Sequence, residues 1–198
     1  MSALIATNDA DDDPLTDHQL AANIFLTYFA GFDTQRETFS LMVAALCEHP
    51  DALRHLADDP ARIPGCMHEL WRWDPVSHVL GRIATEDVDL SGVTIPAGSP
   101  VLISAAAACR DPEVYPNPET FDVHKRESTD PTKHLVFGNG AHFCLGRHLA
   151  MSNMEIMLTK LVSRLPDLSV DWPNAKLMQT FGARGYDELP VTWSVPVH

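Results

Sequence analysis

Residues 137–146, FGNGAHFCLG, set a single cysteine among three glycines, two phenylalanines and a histidine. A thiol in this setting could be an inert buried side chain, a redox thiol, a zinc ligand or a ligand to a larger cofactor. The glycines would let a bulky flat ligand approach the backbone closely, and the phenylalanines would shield the sulfur from water. His142 and Arg147 would supply hydrogen-bond donors or positive charge to an anionic ligand.

The position of Cys144 along the chain narrows these possibilities. An apolar pattern with helical spacing follows it, so the cysteine would lie at the start of a helix. Unpaired N–H groups at that position favour thiolate over thiol and can donate hydrogen bonds to sulfur. A shielded thiolate with room for a macrocycle suits the axial ligand of a haem. A glycine-rich turn with a buried cysteine is the simpler alternative.

The other three cysteines are Cys47, Cys66 and Cys109, which are widely spaced and form no C-x-x-C pair. This spacing argues against a structural zinc site. A disulfide framework requires an oxidising compartment, and nothing in the sequence indicates one. Each of the three is therefore predicted to be a small core residue.

A second segment with chemical potential is AGFDT, residues 30–34. It lies inside a predicted helix that begins with a capping box, in which Thr16 is the N-cap hydroxyl and Gln19 the amide three residues later. The helix should end before Pro50, which gives about 30 residues where the average helix has about 11–12. A glycine in a helix interior costs about 1 kcal/mol relative to alanine, so Gly31 requires a functional explanation.

A third segment, HELWRW at residues 68–73, belongs to a helix predicted to end before Pro75. Glu69 and Arg72 are three residues apart, so their side chains share one face of that helix. An exposed pair of this kind contributes about 0–1 kcal/mol, whereas a buried pair needs all its hydrogen bonds satisfied.

The rest of the chain predicts the framework around these segments. A short helix is expected near residues 51–57, and short strands and turns between 76 and 103, where β-branched residues alternate with glycine and proline. Residues 111–136 carry four prolines and little periodicity, which indicates a long ordered loop. The helix after Cys144 should end at Pro166, with one apolar face formed by Leu145, Leu149, Met154, Leu158, Leu161 and Leu165.

Composition limits the class of protein. The 198 residues carry a net charge of -13, which argues against nucleic-acid binding because the phosphate backbone would repel the chain. The sequence contains no stretch of about 18 consecutive apolar residues, so no membrane span is predicted. The N-terminus has no basic region followed by a long apolar stretch, so no secretory signal is predicted. A cytoplasmic protein with one hydrophobic core is therefore expected.

These three segments, in this order, resemble the cytochrome P-450 family, the haem-thiolate monooxygenases, in their soluble bacterial form. AGFDT is similar to the family's oxygen-binding segment, HELWRW contains its E-x-x-R pair, and FGNGAHFCLG matches its cysteine-ligand loop. The resemblance implies the C-terminal half of that fold, mainly α with small β-sheets (α+β), with residues 1–198 as a single partial domain. Its parts would be a long oxygen-binding helix, the E-x-x-R helix, a meander loop, the cysteine loop and the following helix.

The resemblance implies a cofactor and the residues that bind it. The cofactor would be haem b, iron protoporphyrin IX, with Cys144 as the proximal thiolate ligand to the iron and Phe137 packed near the sulfur. Arg82 and His142 would bind the haem propionates. Gly140 and Gly146 would leave room for the macrocycle.

The same resemblance implies roles for the two helical motifs. Gly31 would loosen the long helix, and Thr34, whose hydroxyl can bond the carbonyl of Ala30, would hold that gap open and bond dioxygen. Asp33 would deliver protons. Glu69 and Arg72 would be a structural pair. In many relatives a basic residue stands at position 120 and completes that pair; here it is Thr120, and Lys125 or Arg126 would have to replace it.

The implied reaction inserts one oxygen atom from O2 into a small apolar substrate, with electrons from a ferredoxin and an NAD(P)H-dependent reductase. Substrate would contact Phe29, Ala30 and Phe32, residues 76–80 and residues 180–182. The family's fold needs about twice this length, so the chain would be incomplete by itself, or Met1 would not be the true start. The alternative is a non-catalytic truncated relative that binds a partner or self-associates through apolar surface exposed on the long helix.

Overall fold

The computed structural model describes residues 2–124, 134–180 and 182–194. It comprises two compact units, Met1–Arg36 and Glu37–His198. Lys125 and Arg126, predicted to replace a basic residue at position 120, lie outside the described residues.

The first unit contains helix α1 (Ser2–Asp9) and the beginning of the long helix α2 (Asp17–Glu48). The predicted capping box is present: the Thr16 N–H donates to Gln19 Oε1 at 2.9 Å, and the Gln19 N–H donates to Thr16 Oγ1 at 3.3 Å. The side-chain carboxamide of Asn8 accepts the Leu15 N–H at 2.9 Å and donates to the Leu15 carbonyl at 3.1 Å. These two bonds connect the ends of the segment between the two helices.

The second unit contains the end of α2 and the remaining helices: α3 (Pro50–Asp58), α4 (Ile63–Trp73), α5 (Ala105–Ala108) and α6 (Arg147–Arg164). Proline in the first turn begins α3 and α4, where a missing N–H costs nothing because no helical carbonyl is available to it. A single 3-10 turn, Pro60–Arg62, joins these two helices, and the Asp59 carboxylate caps it by accepting the Ala61 N–H at 3.2 Å.

Among the residues that the structure describes, the strands form four small antiparallel sheets of two strands each. They pair β1 (Val79–Ile83) with β4 (Pro100–Ser104), β2 (Val88–Leu90) with β3 (Val93–Ile95), β5 (Ser169–Val170) with β8 (Val191–Thr192), and β6 (Lys176–Gln179) with β7 (Arg184–Glu188). The first two sheets lie in the region where β-branched residues and turns predicted strands. The expectation of a mainly α fold with small sheets is therefore confirmed.

The core of the second unit lies where α3, α4 and α6 pack against the end of α2. Its most buried side chains include Leu46, Leu56, Ile63, Cys66, Met67, Leu70, Met154 and Leu158. Cys66 and Cys109 are buried as predicted, and Cys47 packs against this cluster from its edge.

The predicted apolar face of α6 is only partly buried. Met154 and Leu158 lie in the core, but Leu149 is 61% exposed, and Leu145, which precedes the helix, is 94% exposed. The sequence predicted a shared apolar face but not its burial, because helical spacing identifies a stripe and does not show how much of that stripe a neighbour covers. In the part of the chain that the structure describes, no helix combines the length and apolar character needed to span a bilayer.

Candidate functional site

The loop of residues 137–146 is shaped by two glycines and one backbone closure. Gly138 and Gly140 have φ angles of 73° and 74°, in the left-handed region that side chains rarely occupy. Asn139 accepts the Gly140 N–H through its side-chain oxygen at 2.7 Å and begins a 3-10 turn over Gly140–His142. The Cys144 N–H then donates to the Phe137 carbonyl at 2.9 Å, which closes the loop.

The closed loop presents Cys144 three residues before α6. Its side chain is partly buried and its thiol is free. Phe143 on one side is 46% exposed and Leu145 on the other is 94% exposed, so the sulfur is bordered by apolar side chains that face solvent. A Cβ added at Gly146 would lie 4.0 Å from the sulfur, so this glycine keeps the space beside it open.

An aromatic layer supports the loop from inside. The Phe137 ring meets Trp71 edge-on at 5.1 Å between centroids. The Arg147 guanidinium lies 5.9 Å from the Phe137 ring and 5.7 Å from the Phe143 ring. Arg147 Nε is buried and has no hydrogen-bond partner among the described residues, so one donor beside the cysteine loop is left unused.

A pair of histidines lies behind this layer and was not predicted. His68 Nδ1 is 3.0 Å from His134 Nε2, and the His134 ring packs 5.9 Å from Phe137. Burial and the neighbouring His68 lower the pKa of His134 from 6.5 to about 4. Burial, followed by the charge of Arg147, also lowers the pKa of His68. The two residues are 66 positions apart, so no spacing in the sequence could pair them.

The predicted pair of Glu69 and Arg72 is fully buried. The Arg72 side chain is 1% exposed and that of Glu69 0%, and two N–H groups of Arg72 donate to the two carboxylate oxygens at 2.7 and 2.9 Å. Arg72 also donates to the carbonyls of Cys109, Pro118 and Thr120 at 3.0, 2.8 and 3.1 Å. Five bonds therefore connect this guanidinium to a carboxylate and to the loop that follows α5.

The same loop contacts the Glu69 and Arg72 pair although position 120 carries a threonine in place of a basic residue. Arg72 binds the backbone carbonyl of Thr120, and the Asp122 N–H donates to Glu69 Oε1 at 2.9 Å. Main-chain groups on both sides of Phe121 thus bind the pair directly, a contact that does not depend on the side chain at position 120.

The structure brings Arg82 to the cysteine loop. Arg82 lies on β1, and its guanidinium donates to the Gly81 carbonyl at 2.8 Å and to the Asn139 carbonyl at 3.3 Å. His142 is exposed in the 3-10 turn of the same loop. Two cationic or potentially cationic groups are therefore available at this edge of the site.

The other predicted segment lies in the first unit, where α2 runs unbroken through Gly31. Thr34 Oγ1 donates to the Ala30 carbonyl at 2.6 Å, as expected for a threonine that bonds back along a helix, and Gln35 Nε2 donates to the Gly31 carbonyl at 2.7 Å. Asp33 and Arg36 form an exposed pair at 3.4 Å. The consecutive carbonyls of Ala30 and Gly31 thus each accept an additional hydrogen bond from a side chain. The loosening of the helix at Gly31 stays a prediction.

Metal coordination by protein groups alone has no support within residues 2–124, 134–180 and 182–194. There, no three His, Cys, Asp or Glu side chains are arranged to hold a metal ion.

Comparison with known proteins identifies the group to which these features belong. The family model described as "Cytochrome P450" matches residues 63–167, which include the buried Glu69 and Arg72 pair and the cysteine loop. Cytochrome P450 105C1 of a Streptomyces species is 39% identical over 199 residues, covering 98% of this chain and 49% of that protein. The 6-deoxyerythronolide B hydroxylase of Saccharopolyspora erythraea is 36% identical over 193 residues, covering 96% of this chain and 47% of that protein.

Solved structures show the same relationship. The structure of cytochrome P450 CREJ in complex with (4-ethylphenyl) dihydrogen phosphate superposes with a TM-score of 0.90 at 28% identity, covering 98% of this chain and 48% of that one. The chain therefore spans about half the length of the curated relatives it matches.

Proposed function

Because the chain belongs to the cytochrome P450 family, we propose that it carries the haem-binding part of a monooxygenase, with Cys144 as the axial ligand to iron. Members of this family bind haem through a cysteine thiolate. The observation that carries the proposal is the closed loop of residues 137–146, which presents a partly exposed sulfur at the start of α6.

Three features of this loop support its fit to a haem. The donor is a single soft sulfur bordered by Phe143 and Leu145, whose exposed apolar surface a flat macrocycle would cover. The unused, buried Nε of Arg147 is a donor available to a bound group. Arg82 and His142 would hold the two propionates, since both lie at the same loop.

A haem bound by a cysteine thiolate supplies the chemistry of O–O bond cleavage, which no side chain of the protein provides. The protein's part is to hold the sulfur and its surroundings. The Phe137 carbonyl fixes the backbone N–H of Cys144, and the Trp71 and Arg147 contacts hold the Phe137 ring behind it. The Glu69 and Arg72 pair orders the loop that precedes this layer.

Thr34 and Asp33 would deliver protons during the reaction. The Thr34 hydroxyl gives its own hydrogen to the Ala30 carbonyl, so its oxygen is left to accept a hydrogen bond from water or a reacting group. The exposed carboxylate of Asp33 would deliver the protons, since its 3.4 Å contact with Arg36 is weak enough to break when the side chain turns.

The proposed substrate is a small apolar organic molecule, and the proposed reaction is hydroxylation. Support comes from the related 6-deoxyerythronolide B hydroxylase and from the exposed apolar side chains Phe29 and Phe32 on α2. Residues 76–80 and 180–182 are also proposed as substrate contacts. Electrons would come from a ferredoxin and an NAD(P)H-dependent reductase. The free cysteines Cys47, Cys66, Cys109 and Cys144 suit the reducing cytoplasm.

The test is spectroscopic. The haem-loaded chain is reduced and treated with CO, and the Soret band of thiolate ligation at long wavelength is expected. Cys144→Ser should abolish that band, whereas Cys47→Ser should retain it, because Cys47 is also a free, partly buried cysteine but lies elsewhere. An unchanged CO spectrum in Cys144→Ser, or a histidine-type band in the parent, would refute the assignment.

A second candidate function is binding through the aromatic residues of α2. Phe25 and Phe29 stack at 6.0 Å between centroids, Tyr28 and Phe32 stack at 6.1 Å, and all four side chains are more than half exposed. An apolar row of this kind favours association with a second copy or another protein. A monodisperse monomer in analytical ultracentrifugation would contradict self-association, and haem uptake by that monomer would favour the first function.

A further inference from the structure

The hairpin formed by β6 and β7 is joined to the segment that follows α4. The Arg184 N–H donates to the Val76 carbonyl at 2.9 Å, and the His78 N–H donates to the Gly182 carbonyl at 3.0 Å. Ser77 and Ala183 form an antiparallel bridge between these two bonds. Residues 76–78 and 182–184, which overlap the two segments proposed to contact substrate, are therefore joined by backbone hydrogen bonds, so a shift of one should displace the other.

Glu37 on α2 holds this hairpin from the other side. Glu37 is 1% exposed, and its Oε2 accepts the Tyr186 N–H at 3.0 Å. A Cβ built on Gly185 would overlap the carboxylate of Glu37 and approach its Cγ to 2.8 Å. The backbone of β7 thus lies directly on the carboxylate, closer than any residue with a side chain would allow.

We propose that Glu37 is a positioning residue for the substrate site: its buried carboxylate sets how closely β7 approaches the end of α2, and so where residues 182–184 and 76–78 stand. The inference rests on the proposed function, because it assigns those residues to substrate. A buried carboxylate that accepts a backbone N–H forms a strong bond and incurs a large desolvation cost if the bond is lost. The distance between β7 and the end of α2 is therefore set by the carboxylate of Glu37 on one side and by the lack of a side chain at Gly185 on the other.

The immediate neighbours of Gly185 transmit this constraint. Arg184, one residue before it, bonds Val76, and Tyr186, one residue after it, bonds Glu37. A shift of β7 away from the end of α2 would therefore displace the Val76 carbonyl and Ala183, whose carbonyl accepts the Thr180 N–H at 3.0 Å. A change in the size of the substrate site is the expected consequence.

The experiment uses five forms of the full chain: the parent, Glu37→Ala, Glu37→Gln, Gly185→Ala and the double variant Glu37→Ala/Gly185→Ala. The matched control is Gly81→Ala, because Gly81 also lies in a strand and a Cβ there would meet nothing within 4 Å. Two readouts need no haem: thermal unfolding and hydrogen exchange at the Tyr186 amide. The third is the ratio of the affinities of the haem-loaded chain for decanoic and hexadecanoic acid, two apolar probes of different length, followed at the Soret band.

We expect Glu37→Ala to speed exchange at the Tyr186 amide by about tenfold or more, and Glu37→Gln to restore most of the protection. Gly185→Ala should lower the unfolding temperature in the parent but much less in the Glu37→Ala background, where the added methyl group enters vacated space. The affinity ratio of the two acids should change by about threefold or more in Glu37→Ala and stay at the parent value in Gly81→Ala.

Three results would overturn the proposal: unchanged exchange in Glu37→Ala, an effect of Gly185→Ala no larger than that of Gly81→Ala, or an unchanged affinity ratio despite faster exchange. The last result would reduce Glu37 to a structural role. A chain that takes up no haem would instead refute the proposed function, and the exchange and unfolding results would then decide alone whether Glu37 sets the approach of β7.

Discussion

Acidification should destabilise the second unit through His134. The ring is 8% exposed and lies 3.0 Å from His68, and these surroundings lower its pKa from 6.5 to about 4. The unfolded chain then binds more protons than the folded protein between these two values. The contribution of the neutral ring to stability is therefore complete above about pH 6.5 and is lost as the pH falls towards 4.

The size of the effect follows from the two pKa values. Proton linkage with values of 6.5 and about 4 gives a loss of about 2 kcal/mol between pH 7 and pH 5, and about 3 kcal/mol once both states are protonated. His68, whose pKa is also lowered, acts in the same direction. An effect of this size is a large part of the stability of a domain, which is about 5–15 kcal/mol.

The assay is urea unfolding of the parent and of His134→Gln at pH 7 and pH 5, followed by tryptophan fluorescence, since Trp71 lies 6.4 Å from the His134 ring. Glutamine keeps a donor and an acceptor for His68 but does not titrate. The parent should lose about 2 kcal/mol more than His134→Gln between the two pH values. His18→Gln, a substitution of an exposed histidine in the first unit, serves as the control. Equal pH dependence in the parent and His134→Gln would refute the reasoning.

Three further changes have definite expected outcomes. Glu69→Gln leaves Arg72 charged and buried, so urea unfolding should show a loss of about 3–5 kcal/mol; a loss below about 1 kcal/mol would contradict the burial of the pair. Gly138→Ala should cost about 1–2 kcal/mol in the same measurement because φ is 73°, and a neutral result would mean that the loop relaxes. Thr34→Ala should divert electrons from product to hydrogen peroxide in the reconstituted system, whereas Thr27→Ala, which removes a similar helical bond of 2.8 Å, should not; equal coupling in both would argue against the proton role of Thr34.

The sequence predicted those parts of the fold that depend on local chemistry. The capping box of Thr16 and Gln19 marked the start of α2, and Pro50 marked its end within a residue or two. Alternating β-branched residues and turn glycines located the strands between 76 and 103. The spacing of Glu69 and Arg72 predicted a shared face, although only the structure shows that the face is buried.

Interactions between distant segments could not be predicted in this way. The pairing of His68 with His134 and the contact of Glu37 with Tyr186 each join residues that no local pattern connects. The exposure of Leu145 was missed because an apolar side chain shows only a preference for burial, whereas its actual exposure depends on what covers it. Thr120 was judged by its side chain, while its backbone carbonyl makes the contact.

The bonds of Arg72 to Cys109, Pro118 and Thr120 also determine how the second unit can come apart. Residues 109–124 belong to no helix or strand, so these three carbonyls take no part in a regular backbone hydrogen-bond ladder. Once α4 frays, three carbonyl acceptors lose their donor simultaneously, and the segment should not persist as a separately stable piece. Unfolding of α4 and melting of this segment should therefore be one cooperative event, with amides from both regions exchanging with solvent at a common rate.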